Sequence, residues 1–196
     1  RKLTEDELAK KNIYSCPQTL FKIHPDFDQI IFDILEKDKK GIFYLIKDSN
    51  KVWYKKLIKR LSKNKKYDSK KIIFMDPLSY EDYLLHLGRS SVLLDPLYYG
   101  AGNSFFESML FGTPTITFPT DYIKSRLVLG AYKQMEIKHP PIATSIQNYI
   151  DLAVKYANRD DIRALKNTYK TAAEKKLFNT KKAGEEFNKI IINLFN

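Results

Sequence analysis

The 196 residues carry 34 Lys and Arg against 23 Asp and Glu, a formal net charge of +11 at pH 7, and are 43% hydrophobic and 13% aromatic. This composition excludes a disordered chain, and no apolar run reaches the length of a membrane span. A single cysteine, Cys16, excludes an internal disulfide, and the three histidines, His24, His86 and His139, are too scattered for metal-ligand spacing.

The first residues, Arg1-Lys-Leu-Thr-Glu-Asp-Glu, have neither an initiator Met nor the apolar centre of a secretory signal. The expectation is a piece of a longer polypeptide that works in a reducing cytoplasm. Ile13 to Cys16 reads as a first strand, with Cys16 a small buried hydrophobe in preference to a nucleophile. Pro25 to Glu36 is an amphipathic helix that turns Phe27, Ile30, Ile31, Ile34 and Leu35 inward, with His24 at its start, and Gly41 to Ile46 is a second strand. Asn50 to Leu61 is a helix, Lys71 to Phe74 a third strand, and Ser79 to Leu87 a helix opened by a Ser-x-x-Asp capping pattern. From Lys51 to Lys71 ten basic residues face one acid, Asp68. That stretch reads as a solvated helix face and loop in preference to a contact for nucleic acid, an anionic membrane or an acidic protein, and aromatic residues beyond Trp53, Tyr54 and Tyr67 are not interleaved through it as a single-strand binder requires.

Ser91 to Leu94 is a short apolar run of the kind that forms a buried parallel strand, and Asp95-Pro96 stops it. Gly100 and Gly102 then allow φ values closed to other residues and a close approach to a ligand, while Asn103 or Ser104 can cap the next helix. Unpaired amides at such a helix start favour an anion, so a diphosphate fits here, and Glu107 one turn further in reaches a ribose diol. Any tight strand-to-helix turn with a solvated Glu107 has the same local pattern. Gly112-Thr-Pro114 ends the helix, Thr115 to Phe118 is a fifth strand, and the remainder is helical: Asp121 to Lys133, Ser145 to Ala157, Asp160 to Lys175 and Thr180 to Leu194.

Strands separated by helices predict an α/β fold, a Rossmann-like parallel sheet of five or six strands with a helical C-terminal extension. The whole chain is expected to be a single domain, with its core over about 12–135 and a helical part over 136–196. Ligands of such sheets bind outside the carboxyl ends of the strands. The loops Cys16 to Lys22, Met75 to Tyr80 and Asp95 to Asn103 all lie there, which favours a binding site over a plain turn.

In their order, Tyr14-Ser-Cys-Pro-Gln18-Thr-Leu-Phe-Lys22-Ile-His-Pro25, Ile72-Ile-Phe74, Leu94-Asp95, Gly102-Asn-Ser104 with Glu107, Gly112-Thr-Pro114, Ser125-Arg126 and Leu177-Phe-Asn-Thr-Lys181 resemble the C-terminal catalytic half of the O-GlcNAc transferase and SPINDLY group. The resemblance covers essentially the whole chain and implies the C-terminal, donor-binding half of a GT-B glycosyltransferase. It implies that Lys22 neutralises the donor diphosphate and that Gln18 accompanies it, with a spacing one residue longer than in the best-known members. It also implies that Asn103 and Ser104 bind phosphate oxygens and that Glu107 holds the ribose hydroxyls in place of a family carboxylate. Three departures stand out. Gly102 replaces a histidine, Tyr80 a lysine near the ribose, and Tyr83 a histidine stacked on the base, where a tyrosine ring can still stack.

The resemblance implies transfer from a nucleotide sugar, UDP-linked in preference to GDP-linked, to a protein hydroxyl, with no metal or other cofactor and with help from an N-terminal domain of the same protein. Two alternatives are a degenerate Rossmann-like scaffold without catalysis and a GT-B enzyme acting on lipid or glycan.

Overall fold

The computed structural model describes residues 5–195. A short helix, α1 (Glu5–Ala9), leads into a sheet of five parallel strands: β1 (Asn12–Ser15), β2 (Gly41–Ile46), β3 (Ile72–Met75), β4 (Val92–Leu94) and β5 (Thr115–Ile116). Their spatial order is β3-β2-β1-β4-β5. Tyr14 lies opposite Phe43 on one side and Val92 on the other, so β1 is central. Strands covered on both faces must be apolar throughout, and Val92, Leu93 and Leu94 are all buried.

The crossovers are α2 (Pro25–Lys37), α3 (Val52–Leu61), α4 (Tyr80–Arg89) and α5 (Asn103–Met109); α6 (Leu127–Gln134), α7 (Ile146–Ala157), α8 (Ile162–Ala172) and α9 (Thr180–Phe195) follow. Helix α2 begins where His24 accepts from Asp26 N, with Pro25 at the first helical position and acids in the first turn. Ser79 likewise caps α4 by accepting from Asp82 N.

Helix α7 packs against α2 and strands β1, β4 and β5. Its Tyr149, Ile150 and Ala153 join Tyr14, Phe27, Ile30 and Phe43 in the main core, while a second cluster joins Phe105, Met109, Tyr132 and Tyr169. Beyond Asp121, where the sequence suggests helix only, Ile142 forms a parallel bridge to Thr117 and extends the sheet edge. Backbone bonds from Ala143 N to Thr117 O and from Thr117 N to Pro141 O hold that edge, a non-local pairing that helical periodicity does not encode. The segment predicted as helix from Asp121 starts instead with a 3-10 turn, Ile123–Ser125, before α6.

Candidate functional site

Chain order reverses across the sheet between β1 and β4, which makes their carboxyl ends the topological switch point. After β1 the chain passes through Cys16, Pro17 and Gln18 into a 3-10 turn, Leu20–Lys22. Cys16 is fully buried, and burial pushes its thiol far up from its ordinary value, which makes it inert as a nucleophile.

After β4 the loop is organised by Asp95. Its side chain is only 3% exposed with its residue, and it accepts from Ala101 N at 2.5 Å and Thr117 Oγ1 at 2.7 Å. Burial pushes its carboxyl up to about 7. Gly100 gives this packing room, since a Cβ there would lie 3.0 Å from Asp95 Oδ1 and 3.2 Å from Lys124 O. Neither Gly100 nor Gly102 uses a positive φ, contrary to the sequence expectation; in this loop the residue that does is Tyr98, at φ 71°. A tyrosine in that region costs about 1–3 kcal/mol and needs external support. Support comes from its hydroxyl, which donates to Asp26 at 2.7 Å, and from an edge contact with the His24 ring at 4.9 Å.

Helix α5 also starts differently from expectation. Gly102 is its N-cap, and neither Asn103 nor Ser104 caps it with a side chain. The Ser104 hydroxyl is engaged across the switch point, where it accepts from Gln18 Nε2. The other end of that amide, Oε1, accepts from Lys22 Nζ at 2.9 Å. The two bonds together orient the Gln18 amide. A serine oxygen that already accepts from Gln18 keeps its own proton for an acceptor in the cleft. Lys22 is half-buried, which lowers its pKa, and its ammonium lies 4.4 Å from the centre of the Tyr99 ring. Lys124 approaches the same ring at 5.3 Å.

Further along, Glu107 of α5 accepts from the Tyr83 hydroxyl of α4 at 3.1 Å. The structure thus gathers Gln18, Lys22, Tyr83, Gly102, Asn103, Ser104 and Glu107 around one cleft of about 400 Å³. Tyr80 stands outside it, in an adjoining hollow of about 660 Å³ that shares Gln18 and Tyr83, and its ring stacks near Tyr83 with centroids 6.5 Å apart. Sequence reasoning missed Asp95, Tyr98, Tyr99 and Lys124 as parts of this site. Asp95 was visible as a strand stop and as part of the Leu94-Asp95 motif but without a role, and nothing in the spacing of the others sets them apart from ordinary loop residues.

The basic stretch does not form one free face. Arg60 holds Asp28 through two bonds of 2.7 and 2.9 Å, Lys66 pairs with Glu36, Lys71 donates to Leu35 O, and Lys56 covers Trp53. Among the described residues no helix is long and apolar enough to cross a membrane.

A family model described as glycosyl transferase family 41 matches residues 4–187. No curated protein matches the chain. Among solved structures, a Thermobaculum terrenum O-GlcNAc transferase mutant superposes with a TM-score of 0.74 at 18% identity, covering 85% of this chain and 32% of that one. An S. aureus TarM mutant in complex with fondaparinux, α-GlcNAc-glycerol and UDP gives 0.63 at 16% identity, covering 95% and 36%. Anabaena HepE in complex with UDP and glucose gives 0.65 at 11% identity, covering 95% and 53%. The chain therefore spans about a third to a half of the structures it matches, and the shared fold is one half of a GT-B architecture.

Proposed function

Because the chain belongs to glycosyl transferase family 41, we propose that it is the donor-binding half of a GT-B glycosyltransferase and that the switch-point cleft takes a nucleoside diphosphate sugar. The observation that carries this reading is the chain of bonds from Lys22 through Gln18 to Ser104, which joins the loops after β1 and β4. It leaves an ammonium and a hydroxyl donor on either side of the Gln18 amide in a cleft that Glu107 also lines. A diphosphate needs cations and donors, and a ribose diol needs an acceptor. The UDP complexes of the TarM mutant and HepE support a UDP-sugar in preference to a GDP-sugar.

In transfer, the bond from the anomeric carbon to the diphosphate breaks and its electron pair leaves with the diphosphate. Lys22 and the Ser104 hydroxyl offset that developing charge in a half-buried site, where the interaction is stronger than in water, and this route uses no metal. The acceptor oxygen bonds to the anomeric carbon, and its proton goes to a base supplied by the other half of the protein. A protein hydroxyl is the acceptor suggested by the O-GlcNAc transferase neighbour.

Calorimetric titration with UDP and GDP, for wild type, Lys22→Ala and Glu107→Ala, tests the reading. One nucleotide binds, and each substitution weakens it by about 1–3 kcal/mol, the worth of a charge-assisted hydrogen bond. If neither nucleotide binds at millimolar concentration, the cleft is not a donor site and the scaffold alternative replaces it.

A further inference from the structure

We infer that Tyr83 is a positioning residue for Glu107: its phenol fixes the carboxylate that receives the ribose hydroxyls, and so sets how strongly the site distinguishes ribose from deoxyribose. The inference rests on the donor-site reading and adds a role for a side chain outside the diphosphate cluster.

Tyr83 sits one turn into α4 and Glu107 one turn into α5, two helices in contact with each other. Between them runs the 3.1 Å bond from the phenol to Glu107 Oε2. Lys22, the cation of the same cleft, is bonded to Gln18 Oε1. Both side chains are half-buried at the cleft wall. Burial and the neighbouring carboxylate hold the phenol far above its ordinary pKa, so it remains a donor throughout the physiological range.

An unpinned glutamate on a helix surface samples many rotamers and loses that freedom when it meets a ligand. With Oε2 held by Tyr83, its other lone pairs already face the cleft, and a ribose diol meets an acceptor in place. The geometry also explains how one side chain can serve two surfaces. Tyr83 lines both the cleft and the adjoining hollow, and its ring lies 6.5 Å from that of Tyr80.

The experiment measures binding of UDP, 2′-deoxy-UDP and 3′-deoxy-UDP to wild type, Tyr83→Phe, Tyr83→Leu, Glu107→Ala and the Tyr83→Phe/Glu107→Ala double variant, with the guanosine series instead if GDP is the nucleotide that binds. In wild type, removal of the hydroxyl that meets Glu107 lowers affinity about tenfold or more, as expected for a hydrogen bond to a charged group. In Tyr83→Phe the ring remains, but that penalty shrinks to about two- to threefold, and the double variant binds UDP no more weakly than Glu107→Ala alone. Tyr83→Leu removes the ring as well and separates the loss of stacking, which lowers all three affinities equally, from the loss of the hydroxyl. An unchanged deoxy penalty in Tyr83→Phe overturns the inference while the donor site stands. A wild type that binds UDP without any deoxy penalty overturns it also, since Glu107 then does not hold the ribose. Failure of wild type to bind either nucleotide removes the donor site itself and the inference with it.

Discussion

Asp95 shows how a single residue can be visible in the sequence and yet have its role hidden. Its proximity to Pro96 marks the end of a strand, but its burial, its bonds to Ala101 and Thr117 and its elevated pKa depend on how the loop after β4 folds back and on the strand that follows. Burial raises its carboxyl from 3.8 to about 7, against the lowering effect of Thr117, Ala101 and Lys22. The folded state therefore binds a proton between these values that the unfolded state has released. By linkage, the stability from this group is complete below about pH 4 and is lost as pH rises through 7. Protonated, Oδ2 donates to Thr117 instead of accepting. Asn at this position makes the same two bonds without titrating, so urea midpoints for wild type relative to Asp95→Asn should fall between pH 4.5 and 7.5. A relative midpoint that rises over this range shows that Asp95 is stabilised as an anion. At this scale the spacing from a helix start singles out Glu107, while Lys22 and Gln18 are singled out only by the family resemblance. Their mutual contacts were not legible, because 86 residues separate Gln18 from Ser104.

At the scale of elements, local signals were accurate where they act locally. His24 and Ser79 cap α2 and α4 within three residues of their partners, as the sequence indicates. Asn50 suggests a start for α3 and accepts from Val52 N at 3.3 Å, while Asp48 accepts from Trp53 N and Tyr54 N and Lys51 takes a left-handed conformation. Gly112 ends the α5 segment with φ +64°, and a Cβ there would stand 1.8 Å from Lys166 O, so two constraints exclude every other residue. Lys166 in turn donates to Gly88 O and Ser90 O at the end of α4, the helix that carries Tyr83; burial lowers its pKa to about 8. Helix α9 is the opposite case. It has no buried residue, and Phe187, Ile190 and Leu194 are 62%, 59% and 72% exposed. Deletion of residues 180–196 should therefore leave Tm within about 2 °C, the range of surface changes. The same deletion should reduce self-association in sedimentation, because an exposed apolar stripe promotes contact between copies. A large fall in Tm instead means that α9 packs on the domain in solution.

For the whole molecule, the sheet order brings β1 and β4 together and the helices lock the loops that follow them. Helix α7 closes the main core and donates Tyr149 Oη to Asp95 O at 2.9 Å, which ties the C-terminal half of the chain to the site loop. A ligand that binds only this assembled state stabilises the whole fold. UDP at about one hundred times its Kd adds about 2.7 kcal/mol to unfolding. That corresponds to a Tm increase of roughly 5–10 °C for a chain of this size. Thermal scans with and without UDP check it, and binding without a Tm shift indicates association with the unfolded chain as well. The net charge of +11 acts at this scale too, but the partners of Arg60, Lys66 and Lys71 show that part of the basic stretch is paired within the fold.

The sequence alone determined the alternation of five strands with helices and the caps of α2 and α4. These depend on periodicity, propensity and spacing within a few residues, which are written locally. Only the tertiary structure decided that Gln18 orients Ser104, that Tyr83 meets Glu107, that Gly100 makes room for Asp95 and that α7 belongs to the core. Each of those depends on which distant segments become neighbours, and that follows from how the apolar faces of strands and helices bury one another across the entire chain.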